Sequence, residues 1–134
     1  CVGMQIMAEK SEEGKLSGLG WINTSVHKFK AQTLNNLKSE EFLREDKIIL
    51  PHMGWNRVNP SPDCALFDNI SEANFYFLHS YYFQSKNFSY CKAKTKYNIE
   101  FCSVFSKENI FGVQFHPEKS HDNGEKLLLN FSKI

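Results

Sequence analysis

A mixed α/β fold is what this sequence predicts, on three observations. Residues 4–10, MQIMAEK, are a short apolar and helix-favouring run behind Cys1. Two aromatic-rich stretches, 75–83 and 88–95, and a pair of alternating runs, 100–105 and 110–115, have the composition and period of β-strands. The tail, 123–134, carries Leu127, Leu128 and Phe131 at helical spacing. A helix, a run of strands and a closing helix make a layered α/β domain but do not select one topology.

In chain order, residues 1–10 read as a helix, broken by the polar, glycine-bearing SEEGKLSGLG at 11–20. A strand is expected near 26–29. Residues 31–46 are polar and read as a variable loop with a small helix at 39–44. Residues 47–50 make a short strand running into Pro51, and NPSPDC at 59–64 is a loop with two prolines. SKN at 85–87 reads as the turn between the aromatic strands. The runs at 100–105 and 110–115 form a hairpin across 106–109. Asp122 is in position to cap the last helix. Neither an internal repeat nor a low-complexity tract occurs in the sequence.

Composition narrows the function classes. The chain of 134 residues is 41% hydrophobic and 23% charged, ordinary for one globular domain. A net charge of +1 argues against nucleic acid or bilayer headgroups as the main partner. There is neither an apolar run of membrane-spanning length nor a signal-peptide pattern, so a cytoplasmic location is the expectation. The four cysteines, Cys1, Cys64, Cys91 and Cys102, have no CxxC spacing, which suits reduced thiols. Cys91 and Cys102 read as ordinary strand residues. His79, His116 and His121 have no familiar ligand spacing, so no metal site is expected.

The chemistry concentrates in FGVQFHPEKSH, 111–121. Phe111, Val113 and Phe115 alternate, then Pro117 stops the run. Proline keeps His116 extended at the strand end, because it disfavours the helical region for the residue before it. Glu118 is then placed to turn its carboxylate back onto the imidazole, which would fix the tautomer and support charge on the ring. Cys1 supplies a nucleophile if its sulfur sits at a helix N-terminus, where unpaired amides and the helix dipole favour a thiolate. Gly3 lets the backbone approach closely behind it. Each residue also has a plain reading: Cys1 as the point where a sequence begins, His116 as a packed strand-end histidine, Gln5 as a solvated helix residue, Lys119 as an exposed lysine. His52 reads as a buried hydrogen-bonding histidine rather than a catalytic one.

Four segments occurring in order, CVGMQ at 1–5, PHMGWN at 51–56, HSYY at 79–82 and FGVQFHPEKS at 111–120, resemble class I glutamine amidotransferases. They are most similar to the glutaminase-subunit branch of the imidazole glycerol phosphate synthases. The resemblance implies a three-layer, flavodoxin-like α/β sheet. The family places a strand and a glycine before the cysteine, so residues 1–134 are expected to be the C-terminal two-thirds of a single domain, truncated at the N-terminus. It also implies a Cys1–His116–Glu118 triad that hydrolyses glutamine without a cofactor. Gln5, with the backbone near Ser80 and Tyr81, would hold glutamine. The Val2 N–H would bind the oxyanion together with a donor from an upstream loop. Lacking that loop, the 134-residue chain is expected to be a poor catalyst alone, since one lost oxyanion donor costs about 100- to 1000-fold. Trp55, Tyr81 and Lys119 would face a (β/α)₈ synthase subunit in a heterodimer serving histidine biosynthesis.

Three other readings compete. A paralogous glutaminase subunit would supply ammonia for amidino-sugar synthesis in surface polysaccharides. An inactive fragment or binding module would do no chemistry. An N-terminal-nucleophile amidotransferase would use the α-amino group of Cys1 as base, but it leaves HPEKS and PHMGWN unexplained.

Overall fold

The computed structural model describes residues 1–30, 48–84 and 88–134. The expected loop and small helix at 31–46 and the turn at 85–87 lie outside the described residues. In chain order the elements are α1 (Val2–Gln5), β1 (Ala8–Ser11), β2 (Ile22–Lys28), β3 (His52–Pro60), β4 (Asn74–His79), β5 (Tyr81–Gln84), β6 (Cys91–Tyr97), β7 (Ile99–Lys107), β8 (Ile110–Val113) and α2 (His121–Phe131). Single 3₁₀ turns occupy Ala65–Phe67 and Pro117–Lys119. Among the described residues, no helix is long and apolar enough to cross a membrane.

The strands form one large sheet in the order β1-β2-β5-β7-β6-β3-β4, with β8 also paired to β7. The mixed α/β class therefore holds, with helices flanking a central sheet. Parallel pairing among the described strands is confined to β1 with β2; the other pairs are antiparallel. Connection length explains this for the closing hairpins, because a two-residue turn can join antiparallel strands but cannot make a crossover. Asn98 turns β6 into β7 with φ of 62°, and Glu108 begins the turn into β8 with φ of 53°. The predicted hairpin of β7 and β8 is present, its turn tighter than 106–109 because Lys107 already pairs with Ile110.

β7 is the central strand, buried continuously from Phe101 to Phe105. Its side chains divide between two cores. Phe101 and Val104 join Phe75, Phe77, Phe115 and Leu127 on the α2 side. Cys102 and Phe105 join Met4, Ala8, Ile22, Val26 and Phe83 on the α1 side. A strand covered on both faces has no reason to alternate with polar residues, which accounts for its unbroken run.

Several expected boundaries move. The helix expected over 1–10 is one turn, and a strand begins at Ala8. The carbonyls of Ile6, Met7, Ala8 and Glu9 are taken by the N–H groups of Leu19, Ile22, Gly20 and Gly18. Those carbonyls cannot also accept within a helix, so long-range pairing overrides local preference. Gly18 permits this approach, since a Cβ there would fall 2.0 Å from the Ala8 oxygen. No strand forms at 48–50; β3 starts after Pro51 and extends through Asn59 and Pro60 into the expected loop. The stretch 75–83 breaks at Ser80, where β4 on β3 gives way to β5 on β2 and β7.

Ser120, not Asp122, holds the N-cap position of α2. Asp122 instead lies in the first turn, where its charge suits the helix dipole. Of the three apolar tail residues, Leu127 is buried in the core, whereas Leu128 and Phe131 are half-exposed. Phe131 meets Phe111 edge-on at 5.6 Å. Gly124 fits α2 against the Pro117–Lys119 turn, where a Cβ would lie 1.9 Å from the Pro117 oxygen. An alanine in a helix interior normally stabilises by about 1 kcal/mol over glycine. Gly124→Ala is expected to reverse that sign, lowering stability by about 1–3 kcal/mol as the clash pushes the turn bearing Glu118 away. Urea midpoints of the two proteins check it.

Candidate active site

β8 ends at Val113, and the chain continues through Gln114 and Phe115 to His116. Phe115 enters the core and Gln114 is fully buried, whereas His116 is partly exposed. His116 has φ −103° and ψ 98°, the extended conformation that Pro117 imposes. Its N–H donates to the Tyr76 carbonyl at 2.8 Å. Ser120 clamps the same point: its hydroxyl donates to the His116 carbonyl at 2.6 Å and accepts from the Tyr76 N–H at 3.0 Å. The 3₁₀ turn then brings Glu118 Oε1 to 2.7 Å from His116 Nδ1. That hydrogen bond is the main reason the Glu118 carboxyl titrates below its ordinary range, and the carboxylate itself is largely exposed. With Nδ1 engaged by the carboxylate, Nε2 is the nitrogen left to exchange protons with a substrate.

Cys1 stands at the N-cap of α1, and its sulfur is 2.9 Å from Gln114 Nε2. The side chain two places before His116 therefore touches the sulfur. Val2, exposed, is the first residue of α1, so its N–H precedes any intrahelical acceptor.

A buried hydrogen-bond network extends from this point. Gln5 Nε2 donates to Gln114 Oε1 at 3.0 Å and to the Tyr81 carbonyl at 2.9 Å. The same carbonyl accepts from His79 Nδ1 at 2.8 Å. His79 Nε2 is 2.9 Å from His52 Nδ1, and His52 Nε2 is 3.1 Å from Asn56 Nδ2. A carbonyl can only accept, so His79 carries its proton on Nδ1 and accepts at Nε2. His52 must then donate from Nδ1 and accept the Asn56 amide at Nε2. Both imidazoles are neutral in this arrangement. Burial pushes the His52 pKa down to about 4. Burial likewise drives His79 down to about 3, opposed by its bond to the Tyr81 carbonyl. His52 is thus the buried hydrogen-bonding histidine the sequence suggested.

The residues expected to hold substrate are partly joined by this network. Gln5 and the Tyr81 backbone belong to it. Ser80 lies beside it, its carbonyl accepting from the Phe29 N–H. Gln114 and Asn56 were not singled out from the sequence, and His79 was considered there only as a metal ligand. For Gln114 the available signal was its place in FGVQFHPE, two residues before His116. Trp55 and Lys119 share a surface patch around Tyr76: Trp55 stands edge-on to Tyr76 at 6.2 Å and stacks on His121 at 5.4 Å, while Lys119 Nζ lies 5.7 Å from the Tyr76 ring. The Tyr81 ring packs with the α1-side core. A cavity of about 340 Å³ opens between α1 and the 11–20 segment, lined by Val2, Gln5, Ile6, Leu16 and Leu19 among others, and neither Cys1 nor His116 borders it.

The chain is 45% identical, over its whole length, to "Imidazole glycerol phosphate synthase subunit HisH" of Bdellovibrio bacteriovorus, covering 61% of that protein. It is 47% identical over 99% of its length to "Imidazole glycerol phosphate synthase subunit HisH 2" of Methanococcus maripaludis, covering 60% of it. The HisH protein of Leptospira borgpetersenii is 43% identical over the whole chain, with 61% of it covered. The chain thus spans about three-fifths of the length of these curated relatives. The profile of the family "Glutamine amidotransferase class-I" matches residues 1–134. With that match running the length of the chain, this protein belongs to the class I glutamine amidotransferases.

Proposed function

We propose that this chain carries the nucleophile and the acid–base pair of a glutaminase subunit of imidazole glycerol phosphate synthase, releasing ammonia for a (β/α)₈ synthase partner in histidine biosynthesis. The observation that carries the reading is the meeting of Cys1 Sγ with Gln114, two residues before a histidine whose Nδ1 is held by Glu118. The names of the relatives, subunits of imidazole glycerol phosphate synthase, support the assignment to that synthase.

In the proposed reaction the Cys1 thiolate attacks the side-chain amide carbon of glutamine. The tetrahedral oxyanion forms beside the Val2 N–H. Protonated His116 then gives its Nε2 proton to the departing nitrogen, which leaves as ammonia and a γ-glutamyl thioester remains on Cys1. Neutral His116 next takes a proton from water, hydroxide attacks the thioester carbon, and collapse releases glutamate and restores the thiolate–imidazolium pair. Glu118 stabilises the imidazolium at each stage where it forms. Gln5 and the Ser80–Tyr81 backbone would hold the α-amino and α-carboxylate ends of glutamine. Trp55 and Lys119, with Tyr81, are the residues proposed to face the partner. Trp55 is half-exposed on a patch with Tyr76 and exposed Met53, a composition typical of interface cores.

The experiment is a coupled assay of the complete polypeptide. Purified with the partner it retains from its own host, it is expected to release glutamate from glutamine. The nitrogen should appear in the partner's imidazole-forming product. Transfer of the nitrogen to a sugar acceptor would replace the pathway with amidino-sugar synthesis, and absence of glutamate release would remove the enzymatic reading.

A further inference from the structure

We propose that Gln114 is a further catalytic residue: its carboxamide N–H donates to the Cys1 sulfur and holds that sulfur as an anion aimed at the substrate. The proposal rests on the reading of Cys1 as the nucleophile.

The orientation of the Gln114 amide follows from a chain of necessity. The Tyr81 carbonyl can only accept, so the Gln5 atom 2.9 Å from it is the amide nitrogen. That nitrogen also lies 3.0 Å from the Gln114 side chain, so the Gln114 atom facing it is the oxygen. What remains to face Cys1, at 2.9 Å, is the Gln114 NH₂ group, which has protons and no lone pair to offer. Flipping the amide would set two NH₂ groups against each other and an oxygen against the sulfur.

The site is built to keep this direction. Gln114 is fully buried, Gln5 nearly so, and the Tyr81 carbonyl that anchors them is also bound by His79 Nδ1. A buried amide cannot exchange these partners for water, so its donor stays pointed at the sulfur. A donor bonded to the charged form of a titrating group stabilises that form, and such bonds to ions are the stronger ones. The Gln114 backbone is fixed too, its N–H donating to the Ser103 carbonyl at 2.9 Å. His116 therefore need not supply all of the stabilisation of the thiolate.

The test follows Cys1 itself. In the complete polypeptide, iodoacetamide labelling of the Cys1 peptide is measured by mass spectrometry across pH. Gln114→Met keeps an unbranched side chain of similar length and removes the donor. The midpoint of labelling is expected to rise by about one pH unit, with kcat falling about tenfold. A folded Gln114→Met protein whose Cys1 labels with the wild-type midpoint overturns the proposal. A second measurement needs no change at Gln114: in wild-type protein the Gln114 side-chain amide proton resonances should move with the titration of Cys1, and that movement should vanish in Cys1→Ala. Resonances that do not respond to the titration also overturn it. Should Cys1→Ala retain glutaminase activity, the nucleophile reading fails, while the effect of Gln114 on Cys1 labelling stays measurable and distinct.

Discussion

Cys1→Ala in the complete polypeptide is expected to lower kcat for glutamine hydrolysis by at least about 10⁴-fold, and His116→Ala by a similar amount. In the proposed thioester route each removes a participant without which the reaction cannot proceed, and groups that act as one unit lose nearly everything when either is removed. Glu118→Ala is expected to cost less, about 10- to 100-fold. Its carboxylate touches His116 Nδ1 at 2.7 Å but is largely exposed, so water can replace part of its support for the imidazolium. The diagnostic experiment is the double variant. If Glu118 acts through His116, adding Glu118→Ala to His116→Ala should leave kcat close to that of His116→Ala alone. A multiplied loss would mean that Glu118 has a separate role and that the triad is misassigned.

The part of this site legible in the sequence is the part that local chemistry determines. Proline after histidine dictates an extended His116, and a carboxylate two residues later has few other places to go; the 2.7 Å contact is the result. The β7–β8 hairpin was legible for the same reason, its register set by alternation on either side of a short turn. Features made by distant backbone were not legible. The single turn of α1 ends because Gly18 to Ile22 supply N–H groups to the carbonyls after it, a pairing no property of residues 1–10 announces. The break at Ser80 is a change of neighbouring strand, invisible in a run of aromatics that suits either partner. The network from Asn56 to Cys1 joins residues from four separate stretches of the chain, 1–5, 52–56, 79–81 and Gln114. Composition gives no sign that a glutamine inside FGVQF belongs to it.

Stability should fall steeply as pH drops from about 6.5 towards 4.5, because that network holds two imidazoles neutral. His52 and His79 are both buried, with pKa values depressed to about 4 and about 3. The ordinary histidine value is about 6.5. Between these limits the unfolded chain binds protons that the folded chain does not, so unfolding is favoured as pH falls. The stabilisation is complete above the unfolded value and is lost progressively on the way down to the folded ones. Each histidine adds a slope of up to about 1.4 kcal/mol per pH unit. The shifted carboxylates Glu12, Asp63 and Glu118 act in the same direction, but their contribution begins near their unfolded values, below about pH 4.5. The window from 6.5 to 4.5 therefore belongs to histidines. The hydrogen bonds explain why neither ring escapes by taking a proton in place: the lone pair on His52 Nε2 is occupied by Asn56, and that on His79 Nε2 by His52. Urea unfolding of the complete polypeptide at closely spaced pH values should show this slope, and His52→Gln should flatten it by about half. A wild-type stability curve that stays level down to pH 4.5 would mean the two rings accept protons within the fold, and the neutral network drawn from their geometry would be wrong.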